Sequence, residues 1–407
     1  MSQKISLKEV IKNLMYSFAS FAMPTAVLQF LIQPLLAREL GAEINGQYLT
    51  IMSFHYFMVG ITATVLNHVR LLQQEEYEKK NLRGDFNIFL LLYAFVAIIA
   101  VPLSWLYFTK TINVTDVSLM LLVAFFYIYH DYIFAEYRLK LQYNKILINN
   151  ILMSVGYALG FFLFKSVRHW QIIFIVAYAI PTVYDLINTT FIKEPLSKTP
   201  LFGQTSKKVL TLTCSTSLSS LTTYCDKFIL YPLLGGVSVS VYYSAAIVGK
   251  LLLLVSSPMN SVLLSYLVKI KQLDKKRVAK KVLPLLGLLV LAYVCCVAVG
   301  YPLTSFLYPE WADQSKFLIP LTVAASMFSL IANLLNTIVL RFCKTSYQVV
   351  IQIVSLVIYL VLSLFSLHFW GLFGFCAAVT CANALKTIIL LVIIYFKKTV
   401  INSEEEK

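Results

Sequence analysis

"TYCDKFILYPLLGG", residues 223–236, sets an Asp–Lys pair inside a stretch that is otherwise apolar or weakly polar. Its outline appears once before, in "QFLIQPLLARELGAEINGQYLT", residues 29–50. Each copy runs through an apolar helix end to Pro-Leu-Leu, then a short Gly-containing turn, then a Tyr that opens the next apolar run. The first copy supplies Pro34, Gly41, Gly46 and Tyr48; the second supplies Pro232, Gly235, Gly236 and Tyr242. Pro34 and Pro232 stand 198 positions apart in a chain of 407, so the pattern restarts at the midpoint.

Composition says what kind of helices these are. Hydrophobic residues make up 59% of the chain and charged residues 13%, with a mean hydropathy of +0.77. A soluble domain carries about a quarter charged residues, so this is an integral membrane protein. A helix needs roughly 20 apolar residues to cross the hydrocarbon. Qualifying runs centre near residues 25, 57, 97, 127, 155, 181, 220, 252, 293, 328, 358 and 383, which predicts about twelve spans. The polar N-terminus lacks a small-residue cleavage site, so the first span is expected to serve as an uncleaved signal anchor. The seven cysteines read as small apolar residues rather than disulfide or metal partners.

A formal charge of +15 invites a nucleic-acid reading, but the placement of the charge opposes it. Of the 34 basic residues, 26 fall in the N-terminus, the C-terminus and alternate gaps, only five in the other gaps, and three inside spans. That asymmetry predicts that both termini lie in the cytoplasm. The basic segment 269–281, "KIKQLDKKRVAKK", is expected to lie against anionic inner-leaflet lipids. Arg341 reads as a further inner anchor.

Span seven restarts span one after an even number of crossings, so the two halves share an orientation. The expected fold is all-α and polytopic, with six-helix lobes at 1–200 and 201–407. Parallel repeats of this kind are a transporter architecture.

Three stretches carry a family resemblance. "IQPLLARELGAEINGQYLT" (32–50) resembles the first helix–loop–helix of the Wzx-type polysaccharide-transport flippases. "CDKFILYPLLGGVSVSVYYSAAIVGKL" (225–251) resembles their seventh helix, and "HDYIFAEYRLKLQYNKILINNIL" (130–152) their junction of spans four and five. That family shares a superfamily, MOP, with the MATE exporters and the lipid II flippase. The resemblance implies two lobes around a central cavity that opens alternately to either side. It also implies the substrate, an undecaprenyl-diphosphate-linked oligosaccharide of O-antigen, lipopolysaccharide or capsule synthesis, moved from inner to outer leaflet. Polysaccharide polymerase and chain-length proteins are candidate partners, and the chain is expected to act as a monomer without a cofactor.

Ionisable residues inside spans are functional candidates, because an unpaired charge in hydrocarbon costs several kcal/mol. Lys250 lies roughly 17 Å below the outer start of span eight at 1.5 Å per residue. Lys386 lies similarly deep in span twelve. Both suit a diphosphate, as compact point charges, or an ion pair with Asp131, Asp185 or Asp226. Asp226 and Lys227 are adjacent and so point about 100° apart on a helix; each is expected to face a cavity or another helix. Tyr242 and Tyr243 are candidate sugar contacts. His130 and Asp131 are candidates for proton coupling, against the alternative of an inner-end pair with Arg138. Pro24 is a candidate gating kink. Gln29, Gln33, Asn260, Asn333 and Asn336 read as helix–helix hydrogen bonders or cavity lining.

Two other classes remain to compare. A multi-span polysaccharide polymerase needs a long outer loop, and the outer gaps here are short. Gly249-Lys250-Leu251 lacks the leading Gly and trailing Ser/Thr of a phosphate loop. The five histidines show no metal spacing. The reading is therefore not an enzyme, and a MATE-like small-molecule exporter is the nearest alternative.

Overall fold

Three glycines with positive φ punctuate the longest helical stretches: Gly41 (φ 73°), Gly235 (φ 79°) and Gly371 (φ 55°). Side-chain-bearing residues rarely adopt these values, so glycine is what lets the chain reverse there. Gly41 and Gly235 are the turn glycines of the two repeat copies.

The computed structural model describes residues 7–267, 275–342 and 345–396. Expectations resting on Lys4, Lys8, Lys12, Lys344, Lys397, Lys398, Lys407 and on the side chains of segment 269–281 and of Arg341 fall outside what is described. The regular elements are all helical: α1 (Leu7–Ala26), a π-helical turn (Val27–Ile32), α2 (Gln33–Ile61), α3 (Ala63–Lys79), α4 (Asp85–Thr109), α5 (Val114–Leu139), α6 (Tyr143–Val167) and α7 (Gln171–Asn188). They continue with α8 (Phe202–Ala245), α9 (Ile247–Leu267), α10 (Lys275–Leu307), α11 (Ala312–Lys316), α12 (Ile319–Phe342) and α13 (Thr345–Phe396). Among the described residues nine continuous stretches are long and apolar enough to cross a membrane. Cutting the first, sixth and last at Gly41, Gly235 and Gly371 gives twelve segments, the expected number, where the short piece after Gly235 makes a crossing only together with α9. The outer surface suits lipid: on α4, Leu91, Leu92, Phe95, Ile98, Ile99 and Leu103 are all exposed.

The chain divides into two compact units, residues 1–228 and 229–407, and α8 runs through the boundary. In the N-terminal unit α6 and α7 approach closely because Gly156 and Gly160 have no side chain. A Cβ on either would fall 2.6 or 2.7 Å from the Cα of Ala177 or Ile173. Small residues four apart are the usual means of close helix approach in membranes. In the C-terminal unit α12 packs on α9 and α13, with Ala332, Val339, Ile351 and Leu390 at the centre of one buried cluster. Asn333 Nδ2 donates to Ser256 Oγ, and Thr337 Oγ1 donates to Asn260 Oδ1, so Asn260 and Asn333 bond helix to helix as expected. In the N-terminal unit Gln33 bonds across the Gly41 turn within α2, its Nε2 donating to Tyr48 Oη.

Two helices break, and each break is repaired by a hydroxyl from a neighbour. Between α2 and α3, Thr62 leaves helical geometry, and the Ile61 carbonyl accepts from Thr213 Oγ1 at 3.2 Å. Between α8 and α9, the Ala245 carbonyl accepts from Thr322 Oγ1 at 2.7 Å. Backbone freed within a membrane must be satisfied by protein or water, and Ser and Thr side chains do it here.

Candidate functional site

The Asp–Lys pair in α8 behaves differently from expectation. Lys227 Nζ reaches back to Asp226, 2.9 Å from Oδ1 and 3.1 Å from Oδ2, and both residues are buried. Neighbours on a helix point about 100° apart only at the backbone, and side-chain reach can close that angle. A lysine has a flexible four-carbon stem, which lets its ammonium curl onto the preceding carboxylate.

His130 and Asp131, adjacent on α5, do diverge. Asp131 Oδ2 accepts from Thr64 Oγ1 at 2.7 Å, and its backbone carbonyl accepts from Asn67 Nδ2 at 2.7 Å. Arg138 Nη1 donates to Asn67 Oδ1 at 3.3 Å, so the expected Asp131–Arg138 pairing runs through Asn67. His130 turns the other way, its Nε2 lying 2.9 Å from Asn149 Oδ1. Asn149 Nδ2 donates to Asp185 Oδ1 at 2.6 Å, and Tyr137 donates to the same oxygen at 2.7 Å. Asp185 is wholly buried, with Oδ2 unpartnered among the described residues.

Nearby lies a set of contacts that no local sequence pattern marks. The chain between α7 and α8 is tied to the helix ends of the N-terminal unit. Arg70 forms a two-pronged pair with Glu194, at 2.6 and 2.9 Å, and its guanidinium lies 4.4 Å from the Phe86 ring centre and 4.1 Å from that of Phe191. Glu136 accepts from the backbone N–H of Thr190 and of Phe191. Asn87 Nδ2 donates to the carbonyls of Phe191 and Glu194. Asp85 accepts from Tyr77 Oη and the Thr199 N–H. Planar, weakly hydrated Arg is the residue best suited to such a buried, ring-flanked carboxylate pair.

At the opposite helix ends, Glu39 receives Arg168 at 2.9 Å and Lys165 at 3.8 Å. Lys316 pairs with Asp313, and Lys110 lies over the Tyr107 ring. Four of the five basic residues expected on the outer side, Lys110, Lys165, Arg168 and Lys316, therefore sit against acids or rings.

In the C-terminal unit, Lys250 and Tyr243 come together: the ammonium stands 3.4 Å from the ring centre. Tyr243 in turn meets Tyr308 edge-on at 6.2 Å. Tyr242 points elsewhere and packs edge-on against Phe375 at 5.6 Å. Lys386, half-buried in α13, has no ion-pair partner among the described residues. Pro24 is buried in α1, directly before the π-helical turn that holds Gln29. Proline and π-bulges are both established causes of helix bends, and here they are adjacent. Gln29 Oε1 is buried without a partner among the described residues.

A second feature missed from sequence is a tyrosine cluster in the N-terminal unit. Tyr127 on α5 stacks on Tyr178 of α7 at 4.6 Å and meets Tyr56 of α2 edge-on at 5.9 Å. Tyr56 lies 6.3 Å from Tyr224 of α8. Only the four-residue spacing of Tyr127 and Asp131 was visible in sequence; the convergence of α2, α5 and α8 is a tertiary fact.

No known protein-family profile matches the chain, and no curated relative matches by sequence. Solved structures do match. The lipid II flippase MurJ in an inward closed conformation superposes with a TM-score of 0.72 at 14% identity, over 94% of this chain and 87% of that one. An inward-facing multidrug resistance MATE family transporter of the MOP superfamily gives 0.63 at 12%, over 96% and 94%. The bent form of a Vibrio cholerae MATE transporter gives 0.56 at 13%, over 96% and 98%. The chain thus has the fold of MOP-superfamily transporters and flippases.

Proposed function

We propose that the chain is a flippase for undecaprenyl-diphosphate-linked oligosaccharides, moving them from the inner to the outer leaflet of a bacterial inner membrane by alternating access. The observation that carries this reading is the fold shared with a lipid II flippase over 94% of the chain. The three stretches resembling Wzx-type flippases turn the reading from lipid II toward O-antigen or capsule precursors. The 26-to-5 division of basic residues supports cytoplasmic termini.

Such a substrate presents a diphosphate and a polar glycan. Lys250, held over Tyr243, and Lys386 are the proposed diphosphate contacts, with Lys227 as a third when it leaves Asp226. Tyr243 is the proposed ring beside that contact. Asp131 and His130 are the proposed coupling groups, reached from opposite faces of α5. Anionic inner-leaflet lipids complete the proposed partners.

Deleting the gene and extracting lipids tests the reading. Undecaprenyl-linked repeat units should accumulate with surface polysaccharide lost. Normal surface polysaccharide with altered drug sensitivity would favour small-molecule export, the second reading, which the MATE-transporter likeness keeps in view.

A further inference from the structure

We infer that the N-terminal unit contains a sugar-recognition site, built by Tyr56, Tyr127 and Tyr224 around the carboxylate of Asp131. The inference rests on the flippase reading and assigns its glycan a place.

Three helices bring like chemistry to one locality. Tyr56 and Gly60 stand four apart on α2, with Thr64 just past the break at Thr62; Tyr127 and Asp131 stand four apart on α5, and Ser220 and Tyr224 on α8. Residues four apart share a helix face. The faces are in contact: Tyr56 touches Tyr127 and Tyr224, Thr64 donates to Asp131, and Thr213 donates to the Ile61 carbonyl. A Cβ on Gly60 would stand 3.3 Å from Ser220 Oγ, so α2 and α8 meet there closely.

Tyr56, Tyr127, Tyr224 and Asp131 are each half-buried, neither sealed in the core nor fully exposed. Two polar atoms lack partners among the described residues. The Tyr56 hydroxyl is buried without a hydrogen bond. Asp131 uses Oδ2 for Thr64, and its Oδ1 accepts no hydrogen bond. An unmet buried hydroxyl carries a desolvation cost of about 1–3 kcal/mol, which a ligand group would relieve. Rings presenting flat apolar faces, an acceptor-only carboxylate and a free hydroxyl match a pyranose, which has apolar C–H faces and a rim of hydroxyls. An organic cation would also suit a carboxylate among rings, but it has no use for the unmet hydroxyl of Tyr56.

Binding to the full-length protein in lipid nanodiscs tests this with three probes. They are lipid-linked oligosaccharide extracted from cells lacking the protein, undecaprenyl diphosphate without sugar, and tetraphenylphosphonium. The unaltered protein should prefer the sugar-bearing lipid. Asp131→Asn and Tyr56→Phe should each reduce that preference by about tenfold, the size of one hydrogen bond to a charged or buried group, and leave undecaprenyl diphosphate binding unchanged. Tyr56→Phe is the sharper variant, since it removes a hydroxyl that bonds to no described protein group and should not unfold the chain. If both variants keep the full preference, the site is wrong while the flippase reading stands. If the unaltered protein binds neither lipid, the flippase reading fails first. Binding of tetraphenylphosphonium that Asp131→Asn abolishes would overturn the sugar assignment in favour of a cation.

Discussion

The Tyr48 ring meets Trp170 edge-on, with centroids 5.0 Å apart and planes at 65°. Tyr48 stands two helical turns after the turn glycine Gly41, and Trp170 immediately precedes α7. The C-terminal unit repeats the arrangement. Tyr242 stands two turns after Gly235 and meets Phe375, just past Gly371, at 5.6 Å and 82°. In each unit an aromatic contact pins the second span to the start of the sixth, close to the glycine turn. Tyr48→Ala is expected to destabilise the protein by roughly 3–5 kcal/mol, as for other buried aromatic truncations. Thermal unfolding in detergent measures this; a loss under about 1 kcal/mol would mean the contact is incidental.

Breaking the Arg70–Glu194 pair from either side leaves one buried charge without its partner. Arg70→Ala should therefore cost about 3–5 kcal/mol. Arg70→Lys should recover part of that, because a point charge cannot make both prongs or lie flat between Phe86 and Phe191. Limited proteolysis at residues 190–200 gives a second readout, with faster cleavage expected in Arg70→Ala.

Asp226 and Lys227 invite a double-mutant cycle. Lys227→Met alone leaves a buried carboxylate unpaired and should destabilise by about 3–5 kcal/mol. Asp226→Asn combined with Lys227→Met should return most of the loss, since a neutral buried pair can match an ionic one. Additive losses in the double variant would show that each residue has its main partner elsewhere.

Pro24 sits at the junction of α1 and the π-helical turn. Pro24→Ala restores a backbone N–H and should straighten the first span. The expected result is slower surface-polysaccharide delivery with the protein still present in the membrane. Full complementation at normal protein level would remove Pro24 from the gating account.

What could be read in advance follows from range. The restart at Pro232 and the turns at Gly41 and Gly235 were legible because hydropathy, proline and glycine act within a few residues. Hydrogen bonding by Gln33, Asn260 and Asn333 was legible from the general cost of polar groups in a membrane. The Asp226–Lys227 contact was misread because backbone angles were used where side-chain reach decides. Glu194, Glu136 and Asp85 were invisible as a group. The contacts Arg70–Glu194, Glu136–Thr190 and Asp85–Thr199 join residues 54 to 124 apart in sequence, and no local pattern records the encounter. The tyrosine cluster is invisible for the same reason, whereas the place of Tyr242 and Tyr243 near Lys250 is visible locally.

The central claim is that this chain moves lipid-linked oligosaccharide across a bilayer. Reconstituting the purified protein into liposomes loaded with that lipid, then adding an impermeant glycan-binding probe, measures the movement directly. The expected result is that the protein exposes glycan initially confined to the inner leaflet, and that Lys250→Ala, at equal reconstitution, slows exposure at least about tenfold, the effect of removing a charge contact. Exposure no faster than in protein-free liposomes would contradict the account. Rapid exposure that Lys250→Ala leaves untouched would keep the activity and remove Lys250 from the diphosphate site.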